Sequence, residues 1–398
     1  MLSIVRKLCT SSFFKTSRNV LEQQNSAAGV TSDRRFWMSN SRGVHSKAQT
    51  SWVTAKDESR ELMALWPDVV RDLTEAGRHL DALDANKWLA KVLQYNVPNG
   101  KKNRAHALVY SYRKLVPENE LTEDNLRLAR ILGWCIEALQ GFILIADDIM
   151  DSSQYRRGQK CWYLQNDIGL AAINDCILME QAAYALLRMH FRGKPCYLDL
   201  IESIQQYTLK TTMGQTLDLL ATNFGKRPNF NMFTMDRYNS IAKYKTAYYS
   251  FVMPVQLAMY FAGVKDPELH RQAKTILMEM GHMYQVQDDY LDCYGNSQVT
   301  GKQGRDIQEG KCSWLCVVAL QRASPTQKKI LEECYGYEDP DKVAKVKQLY
   351  DDLGLQMTYS IYEEETYNLM NTHIQQISRG LPHDLFFKFL EKIYRRDS

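Results

Sequence analysis

Gln140-Gly-Phe-Ile-Leu-Ile-Ala-Asp-Asp-Ile-Met-Asp151 is the stretch that decides how the chain reads. Residues Gly141 to Ala146 are apolar or small and lead into Asp147, Asp148 and Asp151, with Arg156 and Arg157 just downstream. Helical spacing puts Asp147 and Asp151 on one face and Asp148 at its border. Three carboxylates closing an apolar helix repel one another and cost folding free energy, and a bound cation reverses that sign. The pattern returns in Gln285-Val-Gln-Asp-Asp-Tyr-Leu-Asp292, with Asp288, Asp289 and Asp292. One such cluster can be a solvated acidic face. Two at the same spacing, each after an apolar-rich helical stretch, read as facing carboxylate walls around metal ions.

Outward from these clusters the pattern is helical almost throughout. Thr122 as N-cap, with Asn125 at N3 approximating a capping box, starts a long helix that ends on the first aspartates. Further helices are predicted near 166–191, 197–222, 234–263, 268–293, 311–323 and 341–371, with a short one near 383–394. Pro254 should kink the apolar helix that contains it, and Pro228 sits among loop residues. Period-two strand signals are nearly absent. Although 398 residues would suit two domains, the reading is all-α: one large helical bundle over residues 51–398.

Residues 1–50 differ in kind. They carry eight Lys and Arg against Glu22 and Asp33, a net +6 that leaves −2 for the rest. Apolar residues such as Leu2, Ile4, Phe13 and Phe14 intersperse the basic ones, and Ser and Thr are plentiful. This is the composition of a mitochondrial transit peptide; if the segment is only a disordered tail, the chain stays in the cytoplasm. The remainder is slightly acidic, so nucleic acid is not implied. No apolar run reaches the length of about 20 residues needed to span a bilayer. The nine cysteines form no CxxC pair, and Cys312 and Cys316, one turn apart, do not make a zinc site. Free thiols are expected.

Hard oxygen donors without nearby His or Cys suit Mg²⁺, which leaves coordination positions open for phosphate oxygens. The expected ligand is therefore a phosphorylated substrate between the two acidic clusters. Lys245, in an otherwise largely apolar helix, and Lys302 and Lys311, just past the second cluster, are of the right sign to hold it.

Taken together, Gly100-Lys-Lys-Asn-Arg104, Leu139-Gln140, Asp147–Asp151 with Arg156-Arg157-Gly158, Gly214-Gln-Thr-Leu-Asp218, Lys245-Thr246, Tyr284–Asp292 and Thr300-Gly-Lys302 form an ordered set. By this set the chain resembles the animal farnesyl diphosphate synthases, of the trans-prenyltransferase family of short-chain isoprenyl diphosphate synthases, from about residue 60 to its end. The resemblance implies the isoprenoid-synthase helical bundle around a central cavity, and a homodimer. It implies three Mg²⁺ (Mn²⁺ or Co²⁺ as substitutes), with Asp147, Asp151 and Asp288 as ligands and Asp148, Asp289 and Asp292 in support. Dimethylallyl or geranyl diphosphate would lie on Arg156, Lys245, Lys302 and Lys311, with Gln215 and Asp218 nearby. Isopentenyl diphosphate would lie on Lys101, Arg104, Gln140 and Arg157, closed by Asn103, Arg395 and Arg396. Thr246, Tyr249, Gln285 and the Lys245 carbonyl would steady the allylic cation during a sequential 1′–4 condensation.

The chain departs from that family where product length is set. Five and four residues before the first aspartate the animal enzymes usually carry two Phe; here stand Phe142 and Ile143. Phe142 keeps a bulky block, which argues for a fifteen-carbon product, while Ile143 is narrower. Tyr284 replaces a Phe, Asn99 a Gly, and Arg305 follows Gly304. The rivals are a geranyl diphosphate synthase, a terpene synthase that ionises substrate without a condensation partner, and a non-catalytic helical subunit. Lys101, Arg104, Gln140 and Arg157 speak for condensation, and two intact aspartate clusters speak against an inactive scaffold.

Overall fold

The computed structural model describes residues 51–76, 82–166, 168–296, 304–378 and 380–396. Ser51–Ala64 forms a helix, α1, in a compact unit that ends at Ala64. The larger unit, residues 65–398, holds α2 (Trp66–Ala76), α3 (Leu83–Asn96), α4 (Asn103–Leu115), α5 (Glu123–Met150), α6 (Ala172–Phe191) and α7 (Tyr197–Ala221). It continues through α8 (Met235–Ile241), a π-helical segment (Ala242–Val252), α9 (Met253–Phe261) and α10 (Pro267–Tyr294). Shorter helices complete it: α11 (Asp306–Glu309), α12 (Trp314–Arg322), α13 (Pro325–Cys334), α14 (Pro340–Asp352), α15 (Leu355–Gln375) and α16 (His383–Ile393). Among the described residues the only strands are β1 (Tyr155–Arg156) and β2 (Gln159–Lys160), an antiparallel hairpin pairing Tyr155 with Lys160 and Arg156 with Gln159.

α5 is the central element. Thr122 Oγ1 accepts from the Asn125 amide at 3.2 Å, and Glu123 and Asp124 in the first turn complement the helix dipole. The cap is one-sided, because Asn125 Nδ2 donates to Glu120 O at 3.0 Å instead of reaching back to the N-cap amide. From Ala129 to Gly141 every residue is buried, as expected of a helix apolar on nearly all sides that packs between α4 and α6. Phe142 to Leu144 are partly exposed, and Ile145 and Asp148 are buried again, so the helix turns one face outward along its last turns.

By length and composition, α5 and Gly169–Phe191 are apolar enough to cross a bilayer, which the reading of uninterrupted apolar runs does not anticipate. In α5 the apolar window is 78% buried inside the protein, so its hydrophobicity is that of a core helix.

The stretch near 234–263 is expected to be one kinked helix. It is instead α, π and then α, with the return to α geometry at Met253-Pro254. Proline has no N–H to give, and a wide turn before it relieves the lost bond as a kink would. The π segment fits between α7 and α10 because glycine faces it on both sides. A Cβ on Gly214 would lie 2.1 Å from Lys245 N, and one on Gly281 would lie 2.5 Å from Ala247 Cβ.

Two further differences have local causes. The stretch near 341–371 is two helices, broken where Gly354 takes φ 65°, a conformation that costs a side-chain-free residue little. α13 lies between the expected helices, with Ser324 and Gln327 forming a full capping box and Pro325 in the first turn. The eight described cysteines are free and buried.

His282 on α10 lies buried between Asn239 Oδ1 (2.8 Å from Nε2) and the Tyr362 hydroxyl (3.0 Å from Nδ1). Nε2–H therefore donates to Asn239, and Nδ1 accepts from the phenol. Burial pushes its pKa down to about 4 from 6.5. The folded state thus resists a proton that the unfolded chain accepts. Stability is complete above about pH 6.5 and declines as pH falls toward 4, by about 3 kcal/mol from this group. Denaturant unfolding at pH 7 and pH 4 should show a drop in the wild type that exceeds the drop in His282→Gln by about that amount; equal drops would refute it.

Candidate active site

The first aspartate cluster ends α5 and meets cations from three other elements. Arg156, on β1, donates from Nε to Asp148 Oδ1 at 2.8 Å and from Nη2 to Asp147 Oδ2 at 3.2 Å. Lys245, on the π segment, places Nζ 2.6 Å from Asp218 Oδ2 and 3.6 Å from Asp147 Oδ1. Lys311, in the turn before α12, donates to Asp151 Oδ1 at 2.8 Å and lies 3.5 Å from Asp218 Oδ2. Gln215 Nε2, one turn before Asp218 on α7, reaches Asp147 Oδ1 at 3.2 Å. The sequence signals at Asp147, Asp148, Asp151, Arg156, Gln215, Asp218, Lys245 and Lys311 thus converge in one half-buried network.

Its electrostatics follow from that packing. Burial pushes the Asp147 carboxyl up, but Lys245, Arg156 and Lys311 together hold it below the usual range. Burial likewise opposes ionisation of Asp218, and Lys245 and Lys311 outweigh it more strongly still. For Asp148 and Asp151 burial prevails and the carboxyls lie above their usual range. The ammonium of Lys245, which burial alone would depress, is raised by Asp218 and Asp147.

The second cluster, on α10, is divided by what each carboxylate does. Asp289 is buried and accepts from Trp314 N at 2.7 Å and Gln285 Nε2 at 2.8 Å, which fixes the start of α12; burial pushes it up to about 7. Asp292 accepts from Asp306 N at 2.9 Å, tying down the start of α11. Asp288 keeps a side chain 37% accessible, and its partner is Arg396, beyond the end of α16.

Between the clusters lies a polar path. Tyr249, on the π segment, donates to Gln140 Oε1 at 2.6 Å. Arg104 Nη2 donates to the Tyr249 hydroxyl at 2.6 Å and to Ser250 Oγ at 2.7 Å, and the guanidinium lies 4.4 Å over the Tyr249 ring. Arg104 Nε is buried with no protein partner, so this cation has bonding capacity to spare. Arg157 donates to Asn96 O at 3.2 Å and packs on Gly100, where a Cβ would lie 2.6 Å from its Nε. Thr246 Oγ1 donates to Gln285 Oε1. Asn103 Oδ1 accepts from Lys392 Nζ at 3.1 Å. Burial and the nearby Arg396 lower the Lys101 ammonium, which places Lys101 beside the tail as well.

Four expected positions stand apart. Arg395 is exposed and pairs with Glu364 at 3.0 Å, so it is not brought into the path. Lys302 lies outside the described residues. Phe142 and Ile143 line the half-buried last turns of α5 before Asp147. Sequence reasoning missed Ser250 as a partner of Arg104, since a serine in an apolar run carries no distinguishing signal. It also missed Cys161, whose buried thiol is pushed up by burial and by the nearby Asp148.

Among the described residues no three His, Cys, Asp or Glu side chains converge into a cage for a metal ion. Asp147, Asp148, Asp151 and Asp288 are instead matched to ammonium and guanidinium groups, and Asp289 and Asp292 accept from N–H groups. The donor set is nevertheless all oxygen, which fits a hard divalent cation that takes its remaining ligands from water and phosphate.

Residues 86–353 match the polyprenyl synthetase family model. The chain is 50% identical over 355 residues to a farnesyl pyrophosphate synthase of Nezara viridula, covering 89% of this chain and 87% of that protein. It is 47% identical over 349 residues to that of Homo sapiens, covering 87% and 83%. Among solved structures it is similar to a farnesyl diphosphate synthase of T. brucei complexed with a bisphosphonate, with TM-score 0.80 at 29% identity, covering 86% of this chain and 100% of that one.

Proposed function

The chain belongs to the polyprenyl synthetase family and is a prenyltransferase with farnesyl diphosphate synthase activity, and on that premise we propose how its residues divide the reaction. The observation that carries the reading is the shared network of Asp147, Asp151 and Asp218 with Arg156, Lys245 and Lys311. It holds carboxylates for metal and cations for phosphate within one set of hydrogen bonds.

Dimethylallyl diphosphate, and then geranyl diphosphate, binds with its phosphates on Arg156, Lys245 and Lys311, with Lys302, which follows the second aspartate cluster in the sequence, added to them. Arg156, Lys245 and Lys311 each exchange a carboxylate partner for a phosphate oxygen. Asp147, Asp151 and Asp288 would hold three Mg²⁺ ions (Mn²⁺ or Co²⁺ as substitutes), which would supply neutralising charge to the departing diphosphate. Asp148, Asp289 and Asp292 keep those ligands in place through Arg156 and the starts of α12 and α11. Isopentenyl diphosphate lies on Lys101, Arg104, Gln140 and Arg157, with Asn103 and Arg396 at its edge. Arg104 has the unfilled donor for it.

The allylic C1–O bond breaks with its electron pair going to diphosphate. The Lys245 carbonyl, Thr246, Tyr249 and Gln285 turn oxygens toward the cation in a water-poor cavity. The isopentenyl double bond then forms the new carbon–carbon bond, and the released diphosphate takes the proton lost from the adjacent carbon.

Incubating the protein with isopentenyl and dimethylallyl diphosphates and Mg²⁺ should give a fifteen-carbon diphosphate by chromatographic sizing. A ten-carbon end product would make it a geranyl diphosphate synthase. Diphosphate release from the allylic substrate alone would make it a terpene synthase.

The same premise extends to assembly and address. Ile173 and Ile177 on α6, with Leu209, Met213 and Leu220 on α7, are large apolar side chains left exposed, and they support a homodimer through these helices. Residues 1–50, with their net +6, are read as a mitochondrial transit peptide ahead of a catalytic domain over 51–398.

A further inference from the structure

The two carboxylate walls differ in where their counter-cations come from. Every cation on the first wall belongs to the interior of the chain. Asp288 is balanced instead by Arg396, two residues from the C-terminus. That terminal arginine is held with unusual care. Its Nη2 donates to Asp288 Oδ1 and to Tyr284 O at 3.3 Å, its Nε donates to Gln287 Oε1 at 3.1 Å, and its guanidinium lies 3.6 Å over the Tyr284 ring. Gln287 is itself oriented, because its Nε2 donates to Glu363 Oε1 and to Ile393 O, each at 2.7 Å. Arg395 takes φ 50°, a left-handed turn that sends its own side chain outward to Glu364 and the next one inward. The Arg396 side chain is 10% accessible.

We propose that Arg396 is a placeholder for the divalent cation at Asp288: it occupies the carboxylate until the metal arrives, and the two compete. Tyr284 is the platform on which the placeholder is kept. This rests on the reading of Asp288 as a metal ligand. A guanidinium and a divalent cation on the same carboxylate repel each other at close range, so metal loading expels Arg396 from its seat. The freed tail stays beside Lys101, where its positive charge serves the isopentenyl diphosphate. Loading of the second wall and closure over the second substrate are thereby coupled through one side chain. Tyr284, a Phe in the animal enzymes that the chain resembles, contributes the ring face to that seat, and its hydroxyl is not needed.

The test is Mn²⁺ binding to the full-length protein without substrates, followed by electron paramagnetic resonance. Arg396→Gln should tighten binding about tenfold, as expected when an occupied fraction near nine-tenths is released. Tyr284→Ala should give part of that gain, and Tyr284→Phe should match the wild type. In the wild type, Mn²⁺ should also speed release of the last residues by carboxypeptidase. Affinity in Arg396→Gln equal to or weaker than wild type overturns the placeholder. Asp288→Asn separates the two readings: it should abolish the gain from Arg396→Gln, whereas Mn²⁺ binding indifferent to Asp288→Asn in both backgrounds overturns the ligand assignment and the placeholder with it.

Discussion

Replacing Asp147 by alanine lowers turnover on the order of a thousandfold while the chain stays folded. The second half of that expectation comes from the ion-pair network. Arg156 keeps Asp148 at 2.8 Å and Lys245 keeps Asp218 at 2.6 Å, so neither cation is stranded when Asp147 goes. A buried charge left without its partner would cost several kcal/mol, and here each cation has a second carboxylate. What disappears is the one carboxylate that touches Arg156, Lys245 and Gln215 together. The effect should therefore appear in kcat at saturating Mg²⁺ and substrate, with the thermal unfolding midpoint within a few degrees of wild type. Near wild-type kinetics would remove Asp147 from the metal-binding role.

Phe142→Ala is expected to shift the main product from fifteen to twenty carbons. An α-helix rises about 1.5 Å per residue, so Phe142 lies about 7.5 Å and Ile143 about 6 Å below Asp147 along α5. One more isoprene unit extends the tail by roughly a helical turn of 5.4 Å. The tail of a fifteen-carbon chain thus meets these side chains first. Their half-burial, on a helix sealed from Ala129 to Gly141, shows that α5 faces open space at this depth. Because Ile143 is already narrower than Phe, Phe142 carries most of the block and its removal should act alone. Sizing the products made from isopentenyl and geranyl diphosphates decides the matter. Unchanged fifteen-carbon output would move the floor to another helix.

Most of the bundle was legible because helical period and caps are local. Thr122 marked the start of α5, and the aspartate clusters marked the ends of α5 and α10. The identity of the cationic partners was partly legible: Lys245 and Arg156 stand out as charges beside apolar or acidic runs. What those charges do in the resting protein was not legible. Pairing of Lys311 with Asp151 joins residues 160 positions apart, and no spacing rule reaches that far. The split roles within Asp288, Asp289 and Asp292 were hidden for the same reason, since Trp314 N and Asp306 N select two of the three. The π segment was hidden differently. In a run as apolar as Ala247 to Phe261, where Ser250 and Gln256 are the polar exceptions, a change from α to π periodicity leaves the pattern almost unaltered, and Pro254 signals only that something must give. The Ser324-Pro-Thr-Gln327 capping box, by contrast, was present and readable, and it marks α13.

That π segment ties the position of Lys245 to a residue count. Removing one residue from Ala242–Val252 would let the segment relax to α geometry, and everything beyond it would rotate by about 100° about the helix axis. α9 is buried from Met253 to Met259, so such a rotation would present its packed faces to the wrong neighbours. Substitutions can be absorbed along this stretch wherever the side chain is free. A deletion cannot, because the position of Lys245 between Gly214 and Gly281 depends on the number of residues that follow it as well as on what they are.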